Sequence, residues 1–454
     1  MIADAFLEPI LTQDNKQHYL QVTYNKKGSI PNKTAKNSIK ENKPLQKTAI
    51  FEVIDEGIWK CKKCGACITS VPNKPTECFE LMGGCGRPSD FTIVTDIINP
   101  DLWKLTYWIE KDISDLKILY TESLELIKKC IVFVEDIHYK IYLLSIISSY
   151  KSESFESIGF PTFIGLIDSG KSRALDIIRE VGYRMVHCAS ISFPAMVRCT
   201  HFFGAGILLD EAQNKLNTRT ETGQQYLDFI KPSYRRGSKY TVADKEDQKK
   251  TISYNNYGYK AFAGERGFDR AMTSRGIKFE MEQDYPEIER LSDIQQELND
   301  MQTAFLNYKY KTDSPPALPI DIGIQGRIRE VFESVIRTAM HLGIPYDDIV
   351  EYAQARKKEQ QEELSNSEEW EILHVIKGNE ENEKLFDAPE VISFQEILEK
   401  MGREYSPKAA QHIGYVFRKK LQLNTIRRNN GTVLLLTDPK NARKLKYLYR
   451  RYNA

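Results

Sequence analysis

The chain has 454 residues, 41% of them apolar, which is too long for one ordinary core and too apolar for a disordered chain. Roughly two to four domains are expected at this length. The 64 basic and 63 acidic residues nearly cancel to a net charge of +1, so bulk charge points to no partner.

The N-terminus reads Met-Ile-Ala-Asp-Ala-Phe, without a basic region or an apolar run. The most apolar stretch, Cys130–Ile147, is interrupted by Glu135, Asp136, His138 and Lys140 and cannot span a bilayer. The expectation is a cytoplasmic, intracellular protein without membrane contact. Residues 1–48 are polar and rich in Lys and Asn, which predicts a tail. Residues 49–98 hold five of the eight cysteines, between positions 61 and 85. In a reducing compartment such a cluster points to metal rather than disulfides. The pairs Cys61/Cys64 and Cys78/Cys85 suit a tetrahedral structural Zn²⁺ site in a zinc ribbon. Gly65 and Gly86 follow Cys64 and Cys85 and let nearby N–H groups turn toward sulfur. Cys67 stands as a replacement for Cys64 or as a free thiol. Residues 99–152 carry helical spacing (Leu116, Leu119, Leu124, Ile127; Ile137, Ile141, Leu144) and predict a helical linker domain.

From 153 to 345 strand-like and helix-like segments alternate, the pattern of an α/β unit. Phe160–Ile164 predicts a buried strand. Gly165-Leu166-Ile167-Asp168-Ser169-Gly170-Lys171-Ser172 then matches G-x-x-x-x-G-K-[ST] in full, and Arg173–Val181 predicts a helix stopped by Gly182. Strand, loop and helix in that order let backbone N–H groups and a helix N-terminus cradle the phosphates of ATP. Lys171 is expected to reach the β/γ-phosphates and Ser172 to ligate Mg²⁺. The second element is Gly206-Ile-Leu-Leu-Asp210-Glu211, a short apolar strand ending in two carboxylates. Asp210 is expected to hold Mg²⁺ through water and Glu211 to orient or deprotonate the attacking water. A helix, a strand (Arg184–Ser190) and a second helix (Phe193–Phe202) fit between the two elements. The fold class is therefore an α/β P-loop ATPase core of three αβα layers.

Together with Ala271-Met-Thr-Ser-Arg275-Gly-Ile-Lys-Phe279, these motifs make the stretch from about Ser157 to Glu282 resemble the ATPase domain of helicase-like proteins of plasmids, viruses and mobile elements, related to AAA+ and superfamily 3 helicases. The resemblance implies an arginine finger at Arg275, acting on the neighbouring subunit's γ-phosphate. It thereby implies a homo-oligomeric, head-to-tail ring, a hexamer among the candidates. It implies nucleic-acid contact from the basic segment holding Arg235, Arg236 and Lys239. Tyr257–Gly264 is similar to the strand leading to sensor 1, but Gly264-Glu265 stand where relatives place Asn or Thr. Arg327, on a helix predicted over Gln325–Leu342, is expected to contact phosphate like sensor 2.

Asp313–Pro319 reads as a breaker-rich linker, and residues 346–371 as a charged helix or hinge. Residues 372–454 predict a winged helix-turn-helix, with helices over Phe394–Met401 and Lys408–Lys420 and a hairpin around Asn429-Asn430-Gly431. Ser406-Pro407 reads as an N-cap followed by Pro at N1. Residues 403–454 hold thirteen Lys/Arg against two acids. Tyr415, Arg418 and Lys419 on the second helix and Arg427 and Arg428 on the wing are expected to meet DNA. The whole reads as an ATP-hydrolysing DNA helicase or remodelling motor. The alternatives are an ATP-dependent DNA-binding switch and a degenerate P-loop protein without turnover. No acidic polymerase constellation supports primase activity.

Overall fold

The computed structural model describes residues 115–187, 190–216, 220–244, 249–365, 367–383, 391–428, 431–436 and 438–452, together with Lys104 and strand segments before residue 108. Those early strands are β1 (Ala5–Leu11), β2 (Gln17–Thr23), β3 (Lys47–Glu52), β4 (Ile58–Cys61), β5 (Cys67–Thr69), β6 (Phe91–Val94) and β7 (Thr106–Tyr107). They pair into two sheets, ordered β3-β2-β1-β7 and β5-β4-β6. The expected polar tail is thus corrected over β1, β2 and the start of β3: short runs such as Tyr19-Leu-Gln-Val-Thr23 suit a strand despite their Lys- and Asn-rich surroundings. Cys61 ends β4 and Cys67 begins β5, whereas Cys64, Cys78 and Cys85 lie outside the described residues.

Two helices precede the central sheet. In α1 (Leu116–Cys130) the Asp115 carboxylate caps the first turn, accepting from the N–H groups of Lys117 (2.8 Å) and Ile118 (3.3 Å). α2 (Asp136–Ser148) is apolar nearly all round, so it is buried from Ile141 to Ser148. The expected separate linker domain is corrected here, because these helices pack into the same unit as the sheet.

The sheet consists of β8 (Phe160–Gly165), β9 (Met185–His187), β10 (Gly206–Leu209), β13 (Lys260–Gly264) and β14 (Gly276–Met281). Their spatial order is β14-β8-β13-β10-β9, all parallel. Helices cover both faces, so the strands read as continuous apolar runs and β13 is buried at every residue. The helices are α3 (Lys171–Val181), α4 (Phe193–Phe203), α5 (Ala212–Lys215), α6 (Glu221–Ile230) and α7 (Arg270–Thr273). Between α6 and β13 the chain makes an antiparallel hairpin, β11 (Lys239–Ala243) with β12 (Thr251–Asn255), which the sequence reading did not anticipate. Phe163 stacks on Phe279 at 5.1 Å, and Phe160 meets Phe262 edge-on at 5.5 Å.

Two tyrosines fix the helix after the P-loop. The Tyr142 hydroxyl donates to the Ala174 carbonyl at 2.7 Å, and Tyr150 to that of Val181 at 2.8 Å. After β14, α8 (Gln295–Lys311) packs on α3, and α9 (Arg327–Leu342) packs on α2. The proline-rich linker between them is pinned along α9, since Arg337 donates to the carbonyls of Pro316 (2.6 Å) and Pro315 (2.9 Å).

Contacts divide the chain into Met1–Val350 and Glu351–Ala454, with the boundary inside α10 (Asp347–Ser365). The second unit contains α11 (Glu368–Glu383), β15 (Val391–Ser393), α12 (Phe394–Lys400), α13 (Pro407–Tyr415, continued by a π-turn through Leu421), β16 (Thr425–Arg428), β17 (Gly431–Leu435) and α14 (Pro439–Tyr452). Its sheet runs β15-β17-β16. Ser393 caps α12 through the Glu396 N–H (3.1 Å), and Ser406 caps α13 through that of Ala409 (3.1 Å), with Pro407 in the first turn. Ile376, Ile397, Val416, Phe417 and Leu434 fill its core. No helix among the described residues is long and apolar enough to cross a membrane.

Lys260, the first residue of β13, is fully buried. Its ammonium donates to the carbonyls of Asn256 (2.8 Å) and Gly258 (3.3 Å). Burial pushes it down to about 7. The unfolded chain, with a lysine near the ordinary value of about 10.4, then binds more protons than the fold between those two values. Stability therefore rises with pH across that window. In urea titrations the unfolding midpoint of the parent should gain more between pH 7 and pH 9.5 than that of Lys260→Met, which lacks the titrating group.

Candidate functional site

The P-loop follows from three local requirements. Gly165 ends β8 against β14, where a Cβ would stand 2.3 Å from the Met281 carbonyl oxygen and 2.6 Å from Ser169 Oγ. Only glycine lets the loop leave the sheet there. Gly170 adopts φ +83° and opens α3, whose N-terminal N–H groups then face the loop. Asp168, at φ +61°, makes a second left-handed turn. Ser169 Oγ donates to the Leu166 carbonyl at 2.8 Å. The Lys171 ammonium folds over the same loop, donating to that carbonyl and, at 3.3 Å, to Ser169 Oγ.

The carboxylates arrive from β10, two strands away from β8 with β13 between them. The hydroxyl of Ser172 donates to Asp210 Oδ2 at 2.6 Å. Two segments separated by 38 positions in sequence thus meet at one point, and that point joins the P-loop helix to the end of the Asp-Glu strand. Hydroxyl and carboxylate oxygens side by side are a hard donor set that suits Mg²⁺. Glu211 adopts φ +46°, which is uncommon for a side chain other than Gly, Asn or Asp. Its N–H donates to Asp210 Oδ1 (2.8 Å), and its Oε2 accepts from Asn214 Nδ2 (3.0 Å). Its carboxylate is exposed and held by that bond over the start of α5.

Gly264 ends β13 level with Ile164 of β8. A Cβ at Gly264 would lie 2.5 Å from the side-chain oxygen of Gln213. The space that a polar side chain on β13 would take is therefore filled from α5. Sequence reasoning noted the missing Asn or Thr but not Gln213, because nothing in the pattern couples residues 213 and 264.

The arginines lie elsewhere. The Arg275 carbonyl accepts from the Phe160 N–H at 3.0 Å, which puts Arg275 at the N-terminal end of β8. At about 3.3 Å per residue, that end is about 16 Å from the P-loop. The Arg275 guanidinium lies 5.5 Å from the Tyr234 ring, and its Nε is buried without a hydrogen-bond partner among the described residues. Burial, with Arg327 adding to it, pushes the guanidinium below its ordinary value. Arg327 sits 4.9 Å from the same ring and donates to the Tyr234 hydroxyl at 2.5 Å. Arg327 bonds Tyr234, whose carbonyl accepts from the Ile158 N–H at 2.8 Å just before β8, so within its own chain it lies at the end of the sheet away from the P-loop, and the sensor-2-like phosphate contact expected of it is not placed beside that loop. Arg235 lies 5.7 Å from the ring and pairs with Glu330.

Arg236 pairs with Glu156 at 3.6 Å. Lys239 is exposed at the start of the β11–β12 hairpin. Tyr240 anchors the hairpin base against Phe193 (5.4 Å) and Phe229 (5.7 Å), while its outer residues are solvent-facing.

In the second unit, Tyr415, Lys419 and Arg427 are exposed. Arg418 lines a polar groove with Gln411, Thr425, Arg427 and Thr432. Arg428 pairs by its backbone with Gly431. The acidic start of α11 neutralises part of this basic surface: Glu368 accepts from Arg403 (2.6 Å) and meets His412 (2.9 Å), and Glu369 pairs with Lys420 (2.7 Å). Among the described residues no group of three His, Cys, Asp or Glu is placed to hold a metal.

No protein-family model and no curated protein matches this chain. Solved structures with some similarity include the apo C-terminal region of NrS-1 (TM-score 0.32, 12% identity, 94% of this chain and 96% of that chain). The Holliday junction branch migration motor RuvB of Thermotoga maritima is another (TM-score 0.22, 12% identity, 70% and 98%). AMPPCP-bound DnaA from Aquifex aeolicus is a third (TM-score 0.19, 13% identity, 64% and 83%). At these TM-scores the likenesses carry no weight; the α/β P-loop architecture rests on the strand order and on the meeting of Ser172 with Asp210.

Proposed function

We propose that this protein is an oligomeric ATPase acting on DNA, a helicase or DNA-remodelling motor. The observation that carries the reading is the 2.6 Å bond between Ser172 and Asp210 beside Glu211. The N–H groups of residues 166–171 and the Lys171 ammonium would receive the β- and γ-phosphates. Ser172 and Asp210 would hold Mg²⁺, which neutralises charge on the β- and γ-oxygens when bound. Glu211 would take a proton from water attacking in line.

The outward oxygens of the γ-phosphoryl group gain charge in the transition state and need a cation from outside the P-loop. Arg275 cannot supply it within its own chain. A head-to-tail neighbour presents the opposite end of the sheet, so Arg275, with Arg327 beside it on Tyr234, would complete the next subunit's site. Such an arrangement closes into a ring. In that assembly the β11–β12 hairpin, with Lys239 at its base, would meet a DNA strand; Arg235 and Arg236, held by Glu330 and Glu156, would support it.

The second unit has helix, strand, two helices, a hairpin and a closing helix, the order of a winged helix-turn-helix. We read Tyr415, Arg418, Lys419, Arg427 and Arg428 as its DNA contacts. Cys61, Cys64, Cys78 and Cys85 are read as a structural Zn²⁺ set on the hairpin module of β4, β5 and β6. Gly264, which lacks a polar side chain beside the phosphates, favours the second reading, a nucleotide-controlled DNA-binding switch.

ATP hydrolysis measured with and without single-stranded DNA, alongside strand displacement on a forked duplex, separates these readings. The motor should show DNA-stimulated turnover and unwinding, both lost in Lys171→Ala. Nucleotide-dependent DNA binding without unwinding supports the switch. Turnover equal to that of Lys171→Ala sinks hydrolysis altogether.

Mixing variants tests the neighbour's role. Lys171→Ala and Arg275→Ala, each inactive alone, should recover part of the activity when combined, because some interfaces pair an intact Lys171 with an intact Arg275. Absence of recovery in a mixture that does co-assemble argues against action between subunits. Elemental analysis of purified protein should find one zinc per chain, falling on replacement of Cys78 and Cys85 by Ser.

A further inference from the structure

We propose that Gln213 is a second water-positioning residue of the hydrolytic site, working opposite Glu211 from the space left by Gly264. The inference rests on the ATPase reading above and names a residue that no motif in the sequence marks.

Three observations converge on it. First, Gln213 follows Glu211 by two residues in the first turn of α5, directly after the left-handed backbone of Glu211 itself. Second, β13 lies between β8 and β10, so its C-terminal end faces the gap between P-loop and carboxylates, yet it ends in Gly264. The Gln213 side chain reaches that end, since a Cβ on Gly264 would stand 2.5 Å from Gln213 Oε1. Third, Oε1 is buried and has no hydrogen-bond partner among the described residues. A buried amide oxygen without a partner costs about 1–3 kcal/mol. Water entering the site would donate to it once the amide turns toward the opening.

The chemistry fits the position. Water attacking a phosphoryl group in line must keep one lone pair toward phosphorus while its protons are held. Glu211 accepts one proton. An amide offers an acceptor for the other and donors for an equatorial phosphate oxygen. Water fixed by two groups stays oriented, whereas water held by Glu211 alone rotates. Gln213 moves no proton itself; it sets geometry.

The test compares Gln213→Ala, Gly264→Asn and the double variant with the parent. Hydrolysis is measured at saturating ATP, and affinity is measured with a fluorescent methylanthraniloyl-ATP. Gln213→Ala should lose roughly ten- to a hundredfold in kcat with nucleotide affinity unchanged and melting temperature not lowered. Gly264→Asn alone should be impaired, because its side chain collides with Gln213. The double variant should regain activity, because the new Asn side chain occupies the emptied space. An unchanged kcat in Gln213→Ala overturns the inference and leaves the ATPase reading intact. So does a loss of affinity and stability together without rescue, which marks Gln213 as structural. A parent whose turnover does not exceed that of Lys171→Ala overturns both.

Discussion

The bond between Ser172 and Asp210 is the constraint on which the rest depends. The sheet order makes it available, with β13 separating β8 from β10 and the α3 N-terminus meeting the end of β10; its 2.6 Å length is that of a hydroxyl donating to a carboxylate. Parallel strands place all their C-terminal ends on one edge, so the loop after β8, the carboxylates after β10 and the end of β13 share a site. The same geometry puts Arg275, at the start of β14, on the opposite edge. The site proposed above draws on both edges, and on that reading it is complete only when two chains meet.

Much of this was legible in the sequence, and for identifiable reasons. The P-loop is written by backbone demands, namely Gly165 packed against Met281 and Gly170 in a left-handed turn. Those demands act between near neighbours. Asp210-Glu211 stood out because an apolar strand ended in two carboxylates. Ser406-Pro407 and Ser393-Phe-Gln-Glu396 mark helix starts by local capping, and the helices begin where those residues place them. The hairpin after Asn429-Asn430 was similarly local.

What the sequence did not disclose depends on contacts between distant residues. The β11–β12 hairpin has alternating residues, but its polar outer face and charged connection resemble a loop. The strands before residue 53 are short and set among Lys and Asn. Arg327 was read toward the phosphates from its place after a linker, whereas its guanidinium bonds Tyr234, a residue ninety-three positions earlier that no local pattern connects to it. Gln213 could not be singled out, because its meaning comes from a glycine fifty-one positions later whose only signal is an absent side chain.

The left-handed backbone at Glu211 has a consequence of its own. A glycine at that position would adopt φ +46° without steric cost and relax the turn, while removing the carboxylate that the turn holds out to solvent. On the proposed reading, in which Glu211 handles the attacking water, thermal robustness and chemical competence are opposed at a single residue. Any screen that ranks variants of this protein by melting temperature alone will tend to favour disarming it.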